Sequence, residues 1–307
     1  MTDSSGGRLY LVATPIGNLG DVTHRALEIL AAVPLIAAED TRISRRLLGR
    51  YGIATRLTSY HARSTDARTA ELLGHLRSGA DLALVTDAGT PGVSDPGEQL
   101  ARAWAAEGGA IVPIPGPSAV LAALVGSSLA GPRWSFEGFL PRRGRERRER
   151  IAGIAGDPRA SVVFEAPSRV VATLADLAAA CGPTRPAAVC RELTKLHEEI
   201  RRGPLGELAL AAAEGGLTLR GEFVIVVGAS PVTAAAQAMD DAGGGSGVAE
   251  GAIRDTAPAL IAARAAMSRY LAEGMPRGEA ARQAATAHGV SRRLLYDAPD
   301  RSAGTRR

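Results

Sequence analysis

The sequence predicts an α/β fold, with a parallel, doubly wound sheet in residues 1–130 and a second α/β domain with a mixed sheet in 131–230. Three observations predict it. Short apolar runs without alternation recur at 9–13, 34–38, 56–60, 82–86 and 110–114, as strands buried on both faces require. Amphipathic stretches at 22–31, 43–51, 66–77 and 97–107 lie between them, and another helix opens at Pro117-Ser118. Beyond Trp134, strand-like runs at 187–192 and 198–203 follow each other with only a turn between, which a purely parallel sheet does not allow.

Each element has a local reason. Asp21 or Thr23 supplies the N-cap of the first helix, Gly52 stops the second and Gly79 the third. In the second domain, strands are expected at 134–138, 161–165, 187–192, 198–203 and 222–227, with helices at 145–155, 169–180 and 205–214. Residues 231–250 have linker composition, ending in Asp-Ala-Gly-Gly-Gly-Ser-Gly. Residues 251–307 form a helical tail. There a helix at 279–288, a Gly289 turn and a second helix opening at Ser291-Arg-Arg have the layout of a helix-turn-helix, a candidate for RNA contact through Arg292 and Arg293.

Composition narrows the class. The chain is 46% hydrophobic but only 4% aromatic, so its core is built from Ala, Val and Leu. No run approaches the ~18 apolar residues of a membrane span, and the N-terminus lacks a secretory pattern. Cys181 and Cys190 make neither a disulfide framework nor a zinc site. A reduced, cytoplasmic, metal-free protein is the simplest reading. The net charge is only +4, yet Pro141-Arg-Arg-Gly-Arg-Glu-Arg-Arg-Glu-Arg150 carries six arginines against two glutamates. Arginine suits bidentate contact with phosphate, although a solvated helix face would look the same.

Chemistry concentrates in three strand-to-helix turns, Thr14-Pro-Ile-Gly-Asn-Leu-Gly20, Val85-Thr-Asp-Ala-Gly-Thr-Pro-Gly-Val-Ser-Asp-Pro-Gly97 and Pro113-Ile-Pro-Gly-Pro-Ser-Ala119. In an open parallel sheet such turns converge on the carboxyl rim, where ligands bind. Neither a P-loop nor a Gly-x-Gly-x-x-Gly fingerprint is present. The second turn holds Asp87 and Asp95 and no cation, which repels a triphosphate and welcomes hydroxyls, an ammonium or a sulfonium. S-adenosyl-L-methionine fits better than ATP or NAD.

Ala13-Thr-Pro-Ile-Gly-Asn-Leu-Gly-Asp21, Ala37-Ala-Glu-Asp-Thr-Arg42, Ser59-Tyr-His61, Pro115-Gly-Pro-Ser-Ala119, Phe136-Glu-Gly-Phe-Leu-Pro141, Arg191-Glu-Leu-Thr-Lys-Leu-His-Glu-Glu199 and Gly221-Glu-Phe-Val224 accompany those turns. Together they resemble the ribosomal RNA small-subunit 2′-O-methyltransferase I family of the tetrapyrrole (precorrin) methylase superfamily. The resemblance implies a two-domain tetrapyrrole-methylase-like fold with S-adenosyl-L-methionine in the inter-domain cleft. It also implies methyl transfer to the ribose 2′-hydroxyl of a cytidine in the decoding region of 16S ribosomal RNA, by a homodimer. By motif position, Pro15, Ala88, Gly89, Thr90, Val93, Ser94, Ser118, Ala119 and Phe164 are expected at the cofactor, joined by Asp87. The chain has Ser168 where relatives often carry a histidine, so a histidine base is not expected there.

A ribose hydroxyl is a poor nucleophile and needs a base or a cation to stabilise its alkoxide. Glu165, Glu192 and Lys195 are the catalytic candidates, and no metal is required. Arg42, His61, Arg145, Arg147, Arg148, Arg169 and Arg191 are candidates for holding small-subunit ribosomal RNA, in the assembled subunit. Two alternatives stay open: a methylase of a tetrapyrrole precursor, and an assembly factor that binds RNA without catalysis.

Overall fold

The computed structural model describes residues 6–61, 64–92, 97–230, 257–272, 274–288, 290–291 and 295. The chain divides into two compact units, 1–241 and 242–307.

The first unit opens with a five-stranded sheet of β1 (Leu9–Val12), β2 (Leu35–Ala38), β3 (Leu57–Ser59), β4 (Leu82–Val85) and β5 (Ile111–Ile114). All pairings are parallel, in the order β3-β2-β4-β1-β5. Side chains alternate between faces, and both faces are covered, which is why the strands read as unbroken apolar runs. Leu9, Leu82 and Leu84 pack under α3 (Asp66–Arg77) and α4 (Glu98–Ala106). Tyr10, Val12, Ala83 and Val85 pack under α1 (His24–Ala32) and α2 (Thr41–Arg50). Thr23 caps α1 and Asp40 caps α2, each side chain accepting a main-chain N–H of the first turn.

The second sheet contains β6 (Trp134–Phe139), β7 (Ala160–Glu165), β8 (Pro186–Arg191), β9 (Glu199–Pro204) and β10 (Phe223–Val227), in the order β6-β7-β10-β8-β9. β6 and β7 are parallel and the other pairs antiparallel, so this sheet is mixed. One face packs on α6 (Arg145–Gly156), α7 (Val170–Cys181) and α8 (Leu205–Ala213). The other is covered by α5 (Ala119–Ser127), whose Val120, Ala123 and Leu124 meet Val162, Ala188, Cys190, Val224 and Val226. Thus α5 follows the last strand of the first sheet but completes the core of the second. That crossover welds both sheets into one unit.

The second unit is a helical hairpin of α9 (Ala257–Ala272) and α10 (Arg277–His288). Ala263, Ala266 and Met267 face Ala280, Ala281, Ala284 and Ala285, so small side chains let the two axes approach closely. The partner of the 277–288 helix therefore precedes it. The helix expected at 291–296 lies almost wholly outside the described residues, as do Arg292 and Arg293. Among the described residues, no helix is long and apolar enough to cross a membrane.

Candidate active site

The sheet order decides where the site forms. The three glycine- and proline-rich turns follow β4, β1 and β5, which are adjacent, so they share one stretch of rim. Thr14 and Gly89 stitch two of them together, with N–H···O distances of 2.9 and 3.0 Å in the two directions. The Thr14 hydroxyl adds a bond to Thr86 O at 3.1 Å. Gly89 has φ +82°, left-handed backbone that favours glycine, and lies against Ile16.

A cavity of about 360 Å³ opens there, within the size range of small-molecule sites. Ala88, Gly89, Thr90, Ser118 and Ala119 line it from the first sheet. Phe139, Phe164 and residues 221–224 line it from the second. The Phe164 ring meets Phe136 and Phe139 edge-on at centroid distances of 4.9 and 5.6 Å, which fixes the aromatic wall. A second cavity, about 380 Å³, adjoins it and shares Ile16, Ala88 and Glu222. Pro15, Asp87 and Lys195 line this neighbour and not the first cavity, which moves two expected cofactor residues to the adjoining space. Val93 and Ser94 lie outside the described residues. Ile16, Phe139 and Gly221 were not singled out for the site. All three stand in motifs that signalled it, but spacing along the chain carries no information about which side chains meet across a cleft.

The three catalytic candidates have unlike surroundings. Glu165 is sealed: its side chain is 0% exposed, Thr173 Oγ1 donates at 2.6 Å, Ala166 N at 2.9 Å, and Arg169 Nε lies at 3.2 Å. With both oxygens occupied it holds structure together, and the expectation of a base at this position is corrected. Lys195 lies beside the second cavity, its Nζ donating to Glu192 Oε1 at 2.8 Å and Glu222 Oε2 at 3.0 Å. Burial alone would lower this ammonium's pKa, but bonds to the two glutamates outweigh it and hold the pKa above its ordinary value. The same bond from Lys195, despite burial, holds the Glu192 carboxyl below its ordinary value. Glu192 is thus a weak base, and Lys195 a permanent cation.

The loop carrying this pair is strained. Glu192 (φ 49°) and Thr194 (φ 68°) are non-glycine residues in left-handed backbone, a cost of about 1–3 kcal/mol each that surrounding contacts must sustain. Arg191 supplies some of them, donating from Nε to Arg220 O at 2.8 Å and from Nη1 to His197 O at 3.2 Å. A side chain at Gly17 would collide with the Lys195 stem, since its Cβ would lie 2.4 Å from Cγ. Asp87 accepts Asp40 N–H at 2.9 Å, and burial raises its carboxyl above the usual range, as it does for Glu39.

The RNA candidates scatter. Arg42 forks onto Asp40, whose carboxyl its hydrogen bonds hold at about 2. His61 is exposed at the rim side of β3. Arg145 pairs with Glu149 at 2.6 Å on the surface, and Arg148 is exposed. Arg147 turns inward to Asp176 at 2.7 Å and Thr173 Oγ1 at 3.0 Å, and Arg169 to Leu140 O at 2.7 Å. Arg147, Arg169 and Arg191 therefore bind their own chain, which corrects their expected exposure to RNA.

Two mutually supporting sheets around a backbone-walled rim cavity define the tetrapyrrole methylase class, and residues 8–209 match the family of tetrapyrrole (corrin/porphyrin) methylases. A ribosomal RNA small subunit methyltransferase I from Synechocystis sp. is 43% identical over 291 residues, 94% of this chain and 96% of that protein. One of the same name from Mesorhizobium japonicum is 48% identical over 222 residues, 72% of this chain and 74% of its own. The chain belongs to the ribosomal RNA small subunit methyltransferase I family, within the tetrapyrrole methylases. A solved uroporphyrin-III C-methyltransferase from Thermus thermophilus, complexed with S-adenosylhomocysteine, matches the fold with a TM-score of 0.53 at 21% identity. That match covers 72% of this chain and 97% of its own.

Proposed function

We propose that this protein is an S-adenosyl-L-methionine-dependent methyltransferase that modifies the ribose 2′-hydroxyl of a cytidine in the decoding region of 16S ribosomal RNA. The observation that carries the reading is the pair of adjoining cavities on one rim, one walled by peptide groups and phenylalanines, the other by Lys195 and Asp87. The names of the relatives, and the product bound by the Thermus methyltransferase, support it.

The first cavity suits the cofactor. Main chain at Ala88 and Thr90 and the N–H groups of Ser118 and Ala119 offer polar groups for an adenine edge and a carboxylate, Gly89 being bonded to Thr14, and Phe139 and Phe164 offer apolar cover. When bound, the cofactor supplies a methyl group on a sulfonium. The chain's task is then alignment and charge. The acceptor ribose enters the second cavity, where the Lys195 ammonium stabilises negative charge developing on its 2′-oxygen. Asp87, with raised basicity and, among the described residues, Oδ1 bonded to Asp40 N–H, is the carboxylate placed to take the hydroxyl proton. Only a ribose carries that hydroxyl, so DNA is no substrate.

Incubating the protein with methyl-labelled cofactor and isolated small ribosomal subunits tests the reading. Label in 2′-O-methylcytidine after nuclease digestion is the expected result. Label on a base, or on a porphyrinogen offered in parallel and not on RNA, overturns it. Sedimentation of the same preparation tests the homodimer that belongs to this reading.

A further inference from the structure

We infer that a hollow between α6 and α7 holds phosphates of the RNA substrate on Arg142, Arg143 and Arg148. The inference rests on the reading of the substrate as RNA and adds where its backbone lies. The hollow is an open surface depression of about 580 Å³, with Ile151, Ala152 and Ala180 contributing apolar lining among the guanidinium groups. The side chains of Arg142, Arg143 and Arg148 make no hydrogen bond or ion pair among the described residues.

Their neighbours do the opposite. Arg145 is taken by Glu149, Arg147 by Asp176 and Thr173, and Arg150 by Glu137 at 2.9 Å. The arginine-rich stretch is therefore split between internal clamps and free charges, and the free ones gather in one concavity. Unpaired like charges in a concave surface raise one another's energy, and a polyanion relieves that repulsion. Asp176 and Arg147 also line the hollow and offset each other through the Arg147–Asp176 bond, and Glu149 is held by Arg145, so the unpaired charge lining the hollow is that of Arg142, Arg143 and Arg148.

The hollow is also preorganised relative to the cleft. Arg147 Nη1 and Arg169 Nη2 both donate to Pro141 O, at 3.1 and 3.2 Å, pinning the chain just before Arg142. Phe139, which lines the first cavity, is three residues before Arg142, at most about 11 Å away along the chain. The first cavity adjoins the one assigned to the acceptor ribose, and on this inference the flanking phosphodiesters run past Phe139 toward these arginines. Their planar forks suit phosphate oxygens, and such contacts position the strand without reading its sequence.

The test compares the full-length protein with an R142A/R143A/R148A variant, an R142K/R143K/R148K variant and an R102A control, whose arginine is on α4 and pairs with Glu98. Binding of small-subunit ribosomal RNA is measured over a range of salt, with cofactor affinity measured in parallel as a check on folding. The alanine variant is expected to lose about two units of salt slope, since each phosphate contact contributes about 0.7–0.9. The lysine variant and R102A are expected to keep the slope, and cofactor affinity to stay within about twofold in all. A wild-type slope in the alanine variant, or an equal loss in R102A, overturns the inference. If wild-type protein still methylates small subunits in that case, the proposed function stands and only the hollow's role falls. Absence of both RNA binding and methylation of small subunits by the wild type overturns both.

Discussion

Glu165 and Lys195 border the same cleft and are built in opposite ways. Glu165 is wholly enclosed, each oxygen satisfied by Thr173, Ala166 or Arg169. Lys195 keeps about a quarter of its side chain exposed, sits on a strained loop, and has as one partner Glu222, which is largely in solvent. The first arrangement maximises satisfied bonds, as a structural tie must. The second leaves a charge accessible to a ligand and spends backbone energy to keep it there. Charged residue type is common to both; what separates them is whether any bonding capacity remains.

The largest expected effect breaks the open member. Lys195→Ala should lower kcat by about 10²–10³-fold, the cost of removing one charge-stabilising donor, with cofactor affinity within about twofold. Gly17→Ala sharpens the point, because it displaces the lysine stem without altering any charge and should lower kcat in the same assay. An unaltered rate in both would make Lys195 a tie as well.

The closed member should fail differently. Glu165→Gln removes the charge facing Arg169 and should cost about 3 kcal/mol in urea unfolding, the range for breaking a buried pair. The rate per folded molecule should stay within a few-fold. A stable variant with an abolished rate would reverse the assignment.

Smaller effects concern the cavities themselves. Gly89→Val forces a β-branched residue to φ +82° and should raise the cofactor Kd about tenfold, from roughly 1–2 kcal/mol of backbone strain. Dissociation constants from calorimetry decide it. Asp87→Asn bears on the proton. A base works deprotonated, and burial raises the pKa of Asp87, so the wild-type rate should fall with acidification above the ordinary carboxylate range. In Asp87→Asn this acid limb should flatten at a reduced rate, and an unchanged pH profile would remove Asp87 from the chemistry.

Much of the fold was legible locally. Unbroken apolar runs such as Leu82–Val85 announce strands covered on both faces, and Asp66–Arg77 carries its periodicity and its Gly79 stop in plain view. The rim turns were legible because their glycines and prolines state backbone requirements in residue identity. The arginine-rich stretch was harder, since spacing alone did not show that Arg147 turns inward while Arg148 stays out.

By itself, the sequence determined the parallel and mixed sheets, the turns at the strand ends and the residue types available to a methyl transfer. These follow from periodicity and backbone chemistry, which act over a few neighbouring residues. Only the tertiary structure decided that α5 covers the second sheet, that Asp87 faces the adjoining cavity and that Glu165 is sealed while Lys195 is open. Those outcomes depend on which distant groups meet and whose hydrogen bonds are already satisfied, and no local pattern records them.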